Sequence, residues 1–282
     1  MTGTVGTGAA GAVLTDLRDE GDELEALVAG LEAKAWALPT PAPNWTVAHQ
    51  IAHLTWTDGQ SLTAATDEAA FQREVEKAMA APDRFVDEGA EEGATLAPGE
   101  LLERWREGRS ALLRTLADQP EGRRIPWYGP PMSVAGMATA RLMETWAHGE
   151  DVADALGVRR ARTVRLRHVA RIGVRARDFA YAAHGLTPPA APFRVELTGT
   201  DGEPWVYGPE DAAERVTGDA VEFCLLVTQR VHRDDTGLRA EGAEAGRWLD
   251  IAQAFAGPPG AGRASGSGSG PEPGSASEGE SA

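Results

Sequence analysis

The sequence predicts an α+β protein of two domains, an antiparallel four-helix bundle followed by a smaller α+β unit. Three observations lead there. Apolar residues recur at helical spacing in four separate stretches before residue 157. Past residue 158 the pattern changes to two short β-type runs, separated by the turn signal Thr200, Asp201 and Gly202. Residues 1–11 and 258–282 are low-complexity segments without periodicity, too poor in apolar surface to offset their ordering entropy, and are expected to be disordered.

The first helix is carried by Leu14, Leu17, Leu24, Leu27, Val28, Leu31 and Ala35, and stops before Pro39, Pro41 and Pro43. A second starts at Thr46, a residue type suited to the N-cap, and runs through Val47, Ile51, Leu54 and Leu62 toward Met79. The acidic, Gly-containing stretch from Pro82 to Pro98 reads as a loop. Leu101, Leu102, Trp105, Leu112, Leu113 and Leu116 mark the third helix; the fourth spans about Val134 to Leu156 and stops at Gly157. Connections of this kind between helices with one apolar face suit a bundle over residues 12–158. In residues 159–257 a helix over 163–184, the strands FRVELTG and EPWVYG, and helices at Asp219–Gln229 and Gly242–Phe255 form the α+β unit.

Composition narrows the function classes. The 282 residues carry 27 Lys and Arg against 43 Asp and Glu, a net charge of -16. That balance opposes binding to nucleic acid or to an anionic membrane surface. Cys224 is the single cysteine, so no intramolecular disulfide, zinc finger or iron–sulfur ligand set can form. Any metal must use histidines and carboxylates. No apolar run approaches the roughly 18 residues of a spanning helix, and the N-terminus lacks the basic-then-apolar layout of a signal peptide, so a cytoplasmic location is expected.

One constellation has the spacing of a metal site. Glu144 and His148, in METWAHGED, lie four residues apart on the fourth helix, which places them on one face with Cβ atoms ~5–6 Å apart. The second helix offers His49 and His53 at the same spacing in AHQIAHL. Inward-facing side chains from different bundle helices can meet around one ion, and the set expected here is His53, Glu144 and His148. Two histidines and one carboxylate leave coordination positions open, as in catalytic zinc or non-haem iron(II) sites. Taken singly, each residue also fits a hydrogen-bonded core position.

The stretches NWTVAHQIAHL and ETWAHGEDVADALG resemble the actinobacterial family around mycothiol-dependent maleylpyruvate isomerase, within the DinB/YfiT-like metal-binding superfamily, over about residues 12–258. The resemblance implies a DinB-like bundle followed by a sterol-carrier-like C-terminal domain. It implies a divalent metal, zinc by preference, on the histidine that ends W-T-x-x-x-x-x-x-H and on the carboxylate and histidine of the last bundle helix. Those positions are His53, Glu144 and His148. It also implies a low-molecular-weight thiol, mycothiol, as cofactor, and a small electrophilic substrate undergoing S-transfer or isomerisation. Arg230 resembles the position from which that family directs an arginine toward the metal cleft, and so is the expected catalytic arginine. The segments TGDAVEFCLLVTQRVHRDDTGL and AEAGRWLDIAQAFAGPPG look more like a sister subgroup described only as metal-binding, with weak similarity to a wyosine-formation domain.

Other residues have both a functional and a plainer reading. His49 suits a fourth ligand, a supporting donor, or a polar residue near a helix start. Asp58, Glu150 and Asp151 suit hydrogen-bond acceptors for a ligand or ordinary surface carboxylates. Trp56 and Trp146 suit cavity walls or core packing, and Cys224, inside FCLLV, suits an inert buried thiol. Arg167, Arg171 and Arg175 form a basic stripe that suits an anion anchor or, better, a face paired with carboxylates of the bundle. His168, His184 and His232 read as surface or packing residues. Against the thiol-dependent enzyme stand a non-enzymatic carrier or sensor whose metal braces the bundle, and an iron(II) oxygenase-like enzyme. RNA modification is opposed by the charge and by the missing cysteine cluster.

Overall fold

The computed structural model describes residues 9–82, 84–257, 259–260 and 262–266. The chain is mixed helix and sheet. Four long helices dominate the first half: α1 (Ala9–Val28), α3 (Val47–Thr66), α6 (Pro98–Ala117) and α7 (Val134–Leu156). α1 packs on α6 and α7, and α3 packs on both of the same helices. A short α2 (Ala33–Trp36), α4 (Glu68–Ala80), α5 (Phe85–Ala94) and the two-residue strands β1 (Arg124–Ile125) and β2 (Met132–Ser133) connect them.

The helix ends follow local chemistry. α7 starts at Ser133, whose hydroxyl accepts from the Gly136 N–H at 3.1 Å. It stops at Gly157, whose φ of +66° is the left-handed conformation that glycine takes at low cost. The expected first helix, running to Ala35, is instead broken after Val28 and resumed as α2. The turn at Ala29 and Gly30 lets Trp36 bury itself beside Leu24, Val28, Ile51 and Trp105. The second is divided at Asp67, whose carboxylate accepts from the Ala70 N–H and so starts α4.

The stretch expected as a loop from Pro82 to Pro98 contains α5. Its glycines are there for proximity: a Cβ at Gly89 would come within 2.7 Å of the Trp56 ring, and one at Gly93 within 2.8 Å of Ala52 Cβ. Glycine weakens a helix but lets this one lie directly on α3. At the N-terminus, residues 9–11, expected to be disordered, already belong to α1; residues 1–8 lie outside the described residues.

The second half begins with α8 (Leu166–Arg175) and α9 (Arg177–Ala183), which divide the expected helix over 163–184. The four-stranded sheet has the order β4-β3-β5-β6, from β3 (Phe193–Thr198), β4 (Pro204–Tyr207), β5 (Glu214–Asp219) and β6 (Arg239–Glu241). β3 and β4 form the expected hairpin, with Val195 opposite Tyr207. β5 then returns on the other side of β3 and parallel to it, with Val195 opposite Val216. That crossing is only a few residues long and runs against the start of β3. Gly208, at φ +81°, sits where a Cβ would strike the Phe193 carbonyl. α10 (Ala220–Val227) is capped by Asp219, whose carboxylate accepts from the Val221 and Glu222 N–H groups, and α11 (Ala243–Ile251) closes the unit.

One apolar cluster runs from Leu14 and Met143 through Leu166 and Val169 to Val195, Phe223 and Trp248, so the core is continuous across the change of pattern near residue 158. A polar seam runs beside it. Arg160 and Arg165 pair with Glu20 and Glu23 of α1, and His168 meets Asp16 at 2.7 Å. The basic stretch thus faces carboxylates of the first half, chiefly through residues just before the stripe that stands out in sequence.

Candidate metal centre

α3 and α7 bring together the three residues expected to hold a metal. His53 Nε2 and His148 Nε2 each lie 3.2 Å from Glu144 Oε2, and the three ligand atoms are within 4.8 Å of one another. Register explains the convergence. Gln50 meets His148, and one turn further along α3, in the opposite direction on α7, His53 meets Glu144. The two helices are therefore antiparallel along this seam, and spacings of three and four residues keep all four side chains on facing stripes.

The hydrogen-bond network fixes the state of His148. Thr40 Oγ1 donates to the Trp45 carbonyl at 2.9 Å, so the Gln50 amide NH2 must be the group donating to Thr40 at 2.8 Å. That leaves Gln50 Oε1 facing His148 Nδ1 at 2.5 Å, and Nδ1 carries the proton. Burial, then the proximity of the His53 ring and the Arg230 guanidinium, push His148 down to about 4, so the ring is neutral at pH 7. Its Nε2 then presents a lone pair to Glu144. Burial raises the Glu144 carboxyl, but the two histidines and the Arg141 guanidinium outweigh it and hold the group well below the ordinary carboxylate range.

A lone pair and a carboxylate oxygen therefore face each other at 3.2 Å, while His53 Nδ1 is buried without a partner. Two acceptors in contact repel. A divalent cation between them removes the conflict, and neutral imidazole with ionised carboxylate is the donor set such an ion requires. The residues fit a metal.

Trp45 covers the pair, its ring centroid 5.2 Å from His53 and 5.9 Å from His148. Trp56 lies 6.0 Å from His53 and meets Phe85 of α5 edge-on. Trp146 is a buried core residue. His49 stays outside the cluster: its Nδ1 accepts from the Thr46 N–H and closes the start of α3. Gln50 was not singled out in the sequence, although its place one turn before His53 was the available signal.

Arg230 reaches the seam from the second half. α10 ends at Thr228, Gln229 takes the left-handed conformation at φ +61°, and the turn aims Arg230 at Asp151, with Nη2 to Oδ2 at 2.8 Å and Nη1 to the Thr228 carbonyl at 2.6 Å. Asp151 is buried one turn past His148 and also accepts from Arg263 at 3.0 Å, so part of the expected disordered tail is placed here; residues 267–282 lie outside the described residues. Glu150 meets Arg160, not the candidate ligands, and burial pushes its carboxyl up to about 7. Asp58 is buried too, and desolvation, only partly offset by Arg141 and Arg109, raises it to about 7. Cys224 is fully buried, its thiol pushed up by burial. His184 bonds the Ala180 carbonyl, and His232 caps a short 3-10 turn. No described helix is long and apolar enough to cross a membrane.

Residues 17–153 match the family described as "Mycothiol maleylpyruvate isomerase N-terminal domain", and residues 189–240 match "Wyosine base formation". Two relatives from Mycobacterium tuberculosis, "Uncharacterized protein MT0041" of strain CDC 1551 / Oshkosh and "Uncharacterized protein Rv0036c" of strain ATCC 25618 / H37Rv, are each 58% identical over 253 residues, 90% of this chain and 98% of theirs. The crystal structure of the mycothiol-dependent maleylpyruvate isomerase shares the fold at a TM-score of 0.57 and 14% identity, over 82% of this chain and 92% of that one. A histidine-to-alanine mutant of the same enzyme matches at a TM-score of 0.57 and 15% identity, with the same coverage. With its core, its two facing helices and these relatives in agreement, the chain belongs to the mycothiol maleylpyruvate isomerase-like family of DinB-like proteins.

Proposed function

We propose that this protein is a metal-dependent enzyme that activates a low-molecular-weight thiol, mycothiol, for S-transfer to, or isomerisation of, a small electrophile. In this reading residues 12–158 are a metal-binding antiparallel four-helix bundle and residues 159–257 a sterol-carrier-like α+β domain, and the protein works in the cytoplasm on small molecules. His53, Glu144 and His148 are the metal ligands, with zinc the preferred ion. The observation that carries the reading is the neutral His148 Nε2 facing the Glu144 carboxylate at 3.2 Å, a contact that a cation makes favourable.

A divalent ion bound there supplies a Lewis acid beside which a thiol ionises at neutral pH. The chain's own residues do the rest. Gln50 holds the His148 ring with Nε2 toward the ion and keeps the proton on Nδ1. Trp45 and Trp56 shield the ligands from water, which strengthens charge interactions inside. Arg230, fixed by Asp151, is the catalytic arginine, its charge placed beside His148 to orient an anionic part of the reactants. With Cys224 sealed in the core, the sulfur nucleophile comes from the thiol cofactor.

Elemental mass spectrometry of the purified protein tests the reading. About one divalent ion per chain is expected from three ligands at one site, lost in His53→Ala and in Glu144→Gln, together with metal-dependent consumption of mycothiol by electrophiles. A folded wild-type protein that holds no ion and takes up none would overturn it, and tight binding of apolar ligands without thiol consumption would support a carrier.

A further inference from the structure

Arg141 stands on α7 three residues before Glu144, ~4.5 Å away along the axis and on nearly the same face. It is only 4% exposed. Among the described residues its guanidinium makes no hydrogen bond and no ion pair; Nε and Nη1 are buried without a partner. Its guanidinium lies over the Trp127 ring, 5.2 Å from Cζ, and its charge lowers both Glu144 and Asp58 without a hydrogen bond to either. Buried donors without acceptors are costly, and an arginine brings five of them.

The neighbouring acids do not fill this role. Glu144 Oε2 lies against the two histidines, and among the described residues the carboxylate makes no hydrogen bond or ion pair with Arg141. Asp58 is felt by Arg141 across more than an ion-pair distance, and its own burial keeps it largely protonated below pH 7. Arg230, the arginine toward which the family resemblance points, has both terminal nitrogens engaged, one by Asp151 and one by a carbonyl. Arg141 is thus the guanidinium beside the candidate ligands whose donors make no hydrogen bond among the described residues. A chain of ring contacts runs between the two places: His53 to Trp56 at 6.0 Å, Trp56 to Phe85 at 5.0 Å, Phe85 to Tyr128 at 5.7 Å, and Tyr128 to Trp127 at 5.1 Å.

We propose that Arg141 is an anion-binding residue one helical turn from the metal ligands, and that the molecule taken there presents a carboxylate to its guanidinium fork. A planar carboxylate matches the fork in a bidentate pair and brings one negative charge. A phosphate would bring nearly two, next to the ionised Glu144, and is less suited. That this ligand is the substrate rests on the metal-dependent reading above; the anion site itself does not.

The test titrates metal-loaded protein with sodium acetate against sodium chloride at matched ionic strength, following tryptophan fluorescence and Tm, and repeats it after chelation. A saturable acetate response is expected in both forms. Arg141→Met should abolish it, keep wild-type metal content and leave Tm unchanged or raised, because buried donors without acceptors are gone. Arg141→Lys, which keeps the charge and loses the fork, should weaken acetate binding about tenfold. The proposal is overturned by no saturable response in the wild type, by a response confined to the metal-loaded form, by one that survives in Arg141→Met, or by a lowered Tm in Arg141→Met that Arg141→Lys restores. Metal content is read separately, so a wild type without metal sinks the metal-dependent reading while the chelated arm still decides on Arg141.

Discussion

Gln50 accepts the Nδ1 proton of His148 at 2.5 Å, and this contact sets which nitrogen of His148 is free to bind a cation. Gln50 has no exposed surface, and its amide is oriented by Thr40, so the ring cannot turn without losing this acceptor. Replacing Gln50 with Ala leaves a buried donor unsatisfied and the ring free. Metal affinity should fall about 10- to 100-fold, measured by competition with a chromophoric chelator, while Gln50→Glu, which retains the acceptor, should keep most of it.

Asp58 predicts a pH dependence of stability. Its carboxyl is raised from 3.8 to about 7 in the folded protein, chiefly by burial. Between those values the folded state holds a proton that the unfolded state has released, so this group's contribution to stability falls as pH rises through the window. Asp58→Asn removes the penalty. The variant should gain stability relative to the wild type as pH goes from 4 to 8, by an upper limit of about 4 kcal/mol, seen as a growing Tm difference; an equal Tm difference at pH 5 and pH 8 would contradict the assignment.

Glu20 is 1% exposed and receives both Arg160 and Arg165, the first itself buried. Removing one partner of such a pair strands the others in low dielectric. Glu20→Ala should lose about 3–5 kcal/mol in denaturant unfolding. Glu32→Ala, at a pair exposed to solvent, should change little.

Cys224 has no exposed surface, and burial holds its thiol well above the ordinary range. An aromatic disulfide reagent at pH 8 should leave the native protein unlabelled and modify one thiol per chain in guanidinium chloride. Rapid labelling of the native form would mean that the core around α10 opens.

The sequence by itself determined which residues are candidate ligands and the helices that carry them. A four-residue spacing puts Glu144 and His148 on one helical face whatever the surroundings, and the Ser133 cap and Gly157 stop bound α7 locally. The β3–β4 hairpin was equally local, since its turn residues lie next to one another in the chain. Tertiary structure decided the rest. α5 reads as a loop because its glycines are poor helix formers, and only contact with Trp56 and Ala52 shows why they are needed. β5 and β6 are short and polar in part, and they become strands by pairing across long stretches of chain. Gln50 and Arg141 carry no motif, and the W-T-x-x-x-x-x-x-H pattern that holds Trp45 does not say that its ring covers the two histidines. Their roles arise where α3 meets α7, because hydrogen bonds and unsatisfied donors depend on distances in space that residue spacing along one helix does not specify.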